Sequence, residues 1–78
     1  MKSDRKFLKP IILKDGATVG ELTDAQTLIG NLSAAVQKSA RWKYASELVS
    51  RAIEKDDKYS AMEARSQVER ALKEDGLV

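Results

Sequence analysis

Pro10-Ile11-Ile12-Leu13-Lys14-Asp15-Gly16-Ala17-Thr18-Val19-Gly20-Glu21-Leu22 decides the fold. Two short runs with β-branched residues flank an Asp-Gly pair, which is a strong hairpin signal. Both turn residues then need φ > 0, and Gly and Asp tolerate it best. The first run reaches back to Phe7. Pro10 cannot donate to a ladder, so it belongs at a strand start or on an edge. With Asp15 and Gly16 as the turn, alternation puts Ile11 and Leu13 on one face, and Ile12 with Val19 on the other. A two-stranded hairpin is marginal alone in water, so it must lie on helices or pair with another chain.

Downstream, the period changes from 2 to 3.6. Thr23-Asp24-Ala25-Gln26 fits a capping box, with Thr23 as N-cap and Gln26 reaching back. The helix it opens carries Ala25, Leu28, Ile29, Leu32 and Val36 on one face. Gly30 inside it marks a close helix contact or nothing. The pattern weakens around Lys38-Ser39-Ala40-Arg41, where a break is expected. No Gly or Pro enforces it, so one helix from Asp24 to Glu54 stays open as an alternative. The next helix presents Trp42, Ala45, Leu48, Val49, Ala52 and Ile53, with Lys43, Glu47 and Arg51 as a charged ladder opposite. Lys55-Asp56-Asp57-Lys58 reads as a polar turn. Ser60 and Glu63 then form a second capping box, and Tyr59 can staple onto Ala64. The last helix buries Ala61, Ala64, Val68, Ala71 and Leu72, Gly76 stands as its C′ residue, and Leu77 and Val78 fold back. The expected fold is α+β, an N-terminal β-hairpin packed on a three-helix layer (ββααα). Residues 1–6 form a flexible N-terminus, and 7–78 a single domain.

Composition narrows the chemistry. The 78 residues contain no histidine and no cysteine. The default general base at neutral pH, the commonest metal ligand and the best nucleophile are therefore missing, and so are disulfides and thiolate metal sites. No phosphate-cradling glycine loop is present. Asp56-Asp57 is an adjacent carboxylate pair, and a solvated turn between Lys55 and Lys58 accounts for it. A core this small leaves little room for a ligand pocket of about 300 Å³. The reading expects no enzyme, no metal, no cofactor and no small-molecule substrate. The charged start Met1–Lys6 leads into no long apolar run, so there is no signal-peptide core, and no segment approaches a bilayer span. A soluble, cytoplasmic protein is expected.

The layout resembles the small bacterial proteins grouped as domain-of-unknown-function family 982. Phe7 to Leu13 looks like that family's first strand, Thr23-Asp24-Ala25 like the opening of its first helix, and Trp42 to Ile53 like its middle helix. Ala61-Met62-Glu63-Ala64-Arg65 with Val68, Ala71, Glu74, Gly76 and Leu77 is similar to its closing helix. The resemblance spans residues 7–78. It implies a soluble bacterial protein, and since the family carries no established activity it implies no functional residues.

Two surfaces could carry a function. Three short helices cover one hairpin face, which leaves the other either as an apolar patch with an open strand edge or partly covered by Phe7, Leu8 and the Leu77-Val78 tail. The first reading is accordingly a non-enzymatic protein-interaction module acting through the hairpin face or edge. Ile12 and Val19, with Ile11 and Leu13, would meet a protein partner or a second copy in a homodimer. The alternative is a weak nucleic-acid binder. Residues 1–14 and 38–51 are basic, and Arg41-Trp42-Lys43-Tyr44 interleaves cations with aromatics. Its contacts would be Lys2, Arg5, Lys6, Lys9, Arg41, Lys43 and Tyr44. Trp42, however, falls on the apolar stripe and is expected in the core. Arg65 either anchors an anionic ligand or pairs with Glu69 one turn on.

Overall fold

The computed structural model describes residues 6–78. Lys2 and Arg5 lie outside the described residues. Strands β1 (Lys6–Ile12) and β2 (Thr18–Glu21) are followed by helices α1 (Leu22–Gly30), α2 (Ala34–Gln37), α3 (Ala40–Lys55) and α4 (Lys58–Glu74). The fold is α+β, an N-terminal antiparallel hairpin on a helical layer. Lys6 belongs to β1 rather than to a flexible terminus.

The hairpin differs from the sequence expectation by one residue, and that residue moves a whole face. Leu13 N–H donates to the Ala17 carbonyl at 2.8 Å, and Gly16 N–H to the Leu13 carbonyl at 3.0 Å. Gly16 has φ of 93°, whereas Asp15 does not enter the left-handed region and instead accepts from Ala17 N–H at 2.9 Å. The loop is thus three residues, Lys14-Asp15-Gly16, a turn closed by a left-handed glycine. Ile11 pairs with Val19 and Ile12 with Thr18. A slip of one residue flips side chains to the opposite face. Val19 therefore joins Ile11 and Leu13 in the core at 3% exposure, and Ile12 stands outside at 67%. Between Lys6 and Ile11 the ladder is interrupted by a bulge that contains Pro10, where its missing N–H disturbs no pairing.

The first helix begins at Leu22, directly after the strand, with Glu21 as N-cap. Thr23 is already inside the first turn. Asp24, also in the first turn, reaches back to β2, its carboxylate accepting from Gly20 N–H at 3.0 Å, where an acidic side chain also suits the helix dipole. Gly30 ends this helix with nothing packed against it, so it marks no close contact.

A continuous helix from Asp24 to Glu54 is ruled out by two serines in extended conformation. Ser33 caps α2, its hydroxyl accepting from Val36 N–H at 3.3 Å, and Ser39 precedes α3. The Gln37 side-chain amide donates to the carbonyls of Ile29 and Leu32, both at 2.9 Å, and satisfies groups that a helix end leaves without partners. Leu32 and Val36 leave the first helix but still pack on the core.

Asp56 closes α3 with φ of 54°, and Asp57 rather than Ser60 caps α4. Its carboxylate accepts from Ser60 N–H at 2.7 Å and from the Ser60 hydroxyl at 3.2 Å. Aspartate is at least as good an N-cap as serine, and the earlier start adds helical residues. Tyr59 then sits on the outer surface and makes no staple. At the far end, Gly76 has φ of 74°. Leu77 N–H reaches the Leu72 carbonyl at 2.9 Å and Gly76 N–H that of Lys73 at 3.1 Å, which together form a Schellman motif. The Leu77 carbonyl then accepts from Lys14 N–H at 2.8 Å, which ties the C-terminal residues to the hairpin.

The core is one cluster. Leu22 and Ala25 from α1, Trp42, Ala45, Leu48, Val49 and Ala52 from α3, and Ala61, Ala64, Val68, Ala71 and Leu72 from α4 meet the inner hairpin face. The alanines at the α3–α4 contact let the two long helices approach closely, and Trp42 fills the largest single volume.

Candidate functional site

The side-chain cluster at the top of the bundle is structural. Trp42 is fully buried, and a buried indole needs an acceptor for its N–H. Asp75 supplies it: Trp42 Nε1–H donates to Asp75 Oδ2 at 2.7 Å. The other carboxylate oxygen accepts from Arg41 Nε at 3.0 Å and from Arg41 Nη2, and Glu74 lies 3.6 Å from the same guanidinium. The hydrogen bonds from Trp42 and then Arg41, with the Arg41 charge, outweigh desolvation and hold the Asp75 carboxyl below its ordinary value of 3.8. Asp75 was not singled out in the sequence. The signal that could have found it is the buried Trp42, whose N–H requires a partner.

This arrangement breaks up the proposed nucleic-acid contacts. Arg41 is committed to Asp75 and Trp42 is in the core, which leaves Lys43 and Tyr44 exposed on α3. Lys6 and Lys9 are on β1, which packs chiefly on β2 and α4.

The apolar hairpin face is likewise reduced. Ile11, Leu13 and Val19 are buried, so of the four interaction candidates Ile12 alone is exposed. The strand edges are also partly occupied. On β2, Gly20 N–H is bound by Asp24; beside β1, Lys14 N–H is bound by the Leu77 carbonyl. Lys9 O accepts from Arg65 Nε at 2.5 Å, across 56 positions of sequence. These bonds remove part of what an added strand would need.

A different surface emerges where β1 meets α4. The β1 bulge and the first two turns of α4 enclose a groove of about 320 Å³, lined by Lys6, Phe7 and Lys9 on one wall and Lys58, Ala61, Met62, Arg65 and Ser66 on the other. Phe7 and Ala61 belong to the core and form its apolar floor, while Met62 is 49% exposed. Among the described residues the lining holds four cations and no acid. Arg65 pairs with Glu69 at 3.0 Å, as the i,i+4 spacing suggested, and its bond to Lys9 fixes one wall against the other. Among the described residues Lys6, Lys9 and Lys58 make no ion pair. The expectation of little room for a cavity near 300 Å³ concerned the core, whereas this groove lies on the outside, between two elements.

Sequence reasoning identified Lys6, Lys9 and Arg65 but not Phe7, Lys58, Met62 or Ser66 as neighbours, since the contact is nonlocal. Among the described residues, no group of three or more potential ligands could hold a metal ion, and no helix is long and apolar enough to cross a membrane. Asp56 and Asp57 occupy a helix–helix junction, Asp56 closing α3 and Asp57 capping α4. In comparisons with protein-family models, curated proteins and solved structures, nothing matches this chain.

Proposed function

We propose that this protein is a non-enzymatic interaction module, and that it receives a segment of another protein in the β1–α4 groove. The observation that carries this reading is a concave surface with an apolar floor whose cations outnumber their internal partners. A surface of that kind suits recognition, since apolar area supplies affinity and placed charges supply selectivity. The lack of histidine and cysteine supports a role without catalysis. The β1 edge keeps a part in this reading as one wall of the groove, whereas the outer hairpin face does not. The resemblance to family 982 is retained within the proposal and assigns no activity.

Selection from a displayed random-peptide library tests it. Wild-type protein and the Ile12→Lys variant should enrich the same peptides, and Met62→Gln should lose them. If Ile12→Lys loses the peptides and Met62→Gln keeps them, the hairpin face is the interaction surface and the groove reading is wrong.

A further inference from the structure

We infer that the segment received by the groove is acidic and extended, with apolar residues between its carboxylates. This inference rests on the groove reading above and names its ligand class.

Charge complementarity is the first ground. Lys6, Lys9, Lys58 and Arg65 all line the groove, and among the described residues no acid lines it. Arg65 uses two donor groups internally, on the Lys9 carbonyl and on Glu69. A guanidinium has about five N–H donors, so about three remain for a ligand. An acidic segment is attracted to such a site, and a basic one is repelled from it.

Dimensions are the second ground. Lys58 and Arg65 are seven residues apart on a helix, which is about 10 Å along its axis. Lys6 and Lys9 are three strand residues apart, also about 10 Å. Two carboxylates three positions apart in an extended peptide are about the same distance apart along the chain and point to opposite sides, one towards each wall. Of the two apolar residues between them, one would then lie over Phe7 and the other over Ala61 and Met62.

The floor decides against the other polyanion that cations attract. Single-stranded nucleic acid is held by exposed aromatic faces on which bases stack. The aromatic ring in this groove is Phe7, which is buried, and the exposed Tyr59 lies in an adjoining shallow hollow that shares Met62 and Ser66 with the groove and also holds Glu63.

The probe is a fluorescein-labelled capped peptide Glu-Leu-Ile-Glu, read by anisotropy, beside its Gln-Leu-Ile-Gln counterpart and a short uridine oligomer. The acidic peptide should bind, weaken with added salt, and lose about tenfold or more in affinity with the Gln peptide or with the Lys9→Glu/Lys58→Glu protein. Both lysines are exposed, so this variant keeps its fold, which circular dichroism checks. Equal binding of the two peptides overturns the acidic assignment, as does tighter binding of the uridine oligomer. No binding of either peptide also overturns it. In those cases the library selection still decides the groove reading separately, because it offers peptides of every charge and conformation.

Discussion

Asp75 ties the start of α3 to the end of α4 through one carboxylate. Its side chain is 14% exposed, so few waters could replace its partners. Asp75→Ala would leave the Trp42 N–H buried without an acceptor, and should destabilise the protein by about 2 kcal/mol. In a domain of this size that is a fall of roughly 8–16 °C in Tm, measurable by thermal denaturation. The pH dependence follows from the direction of the Asp75 shift. A carboxyl whose folded value lies below its unfolded one contributes stability that is complete above the unfolded value near 3.8. That contribution disappears as pH falls through the lower folded value. Asp75→Asn should therefore lower Tm at neutral pH and flatten its decline below about pH 4. An unchanged acid limb in thermal melts of Asp75→Asn would show that another carboxylate controls it.

At the scale of elements, the hairpin loop makes the clearest prediction. Val19→Lys should prevent folding, because it places a charge in the inner face beside Ile11. Ile12→Lys should change stability by about 0.5 kcal/mol or less. A two-residue Asp15-Gly16 turn would put both residues outside and make the two variants equally mild, so paired denaturant titrations separate the registers. Gly76→Ala forces a side chain into the left-handed C′ position and should cost about 1–2 kcal/mol in the same titrations. These examples show what the sequence made legible. The faces of α3 and α4 were, because a 3.6 period fixes them whatever the termini do: Ala61, Ala64, Val68, Ala71 and Leu72 are all buried. Strand faces depend on loop length, and Asp-Gly fits both a two-residue and a three-residue loop. Caps failed for a related reason. Asp57 and Ser60 offer competing oxygens within one turn, and burial of Leu22 starts α1 before Thr23.

At the scale of the molecule, the fold leaves a cationic, apolar-floored groove where two elements distant in sequence come together, while among the described residues the outer hairpin face shows Ile12 as a large exposed apolar side chain. The groove was only partly legible: Lys6, Lys9 and Arg65 drew attention as charges, but pattern rules do not place β1 against α4. Its charges contribute little to stability, since exposed lysines without partners neither hold the fold nor strain it. The Lys9→Glu/Lys58→Glu protein should accordingly melt within a few degrees of wild type, as read by circular dichroism. Amide chemical-shift mapping of the labelled protein with the Glu-Leu-Ile-Glu peptide tests the central claim most directly. The account predicts saturable shifts confined to Lys6–Lys9 and Lys58–Ser66. Shifts centred instead on Ile12 and Thr18, or on Lys43 and Tyr44, would contradict it.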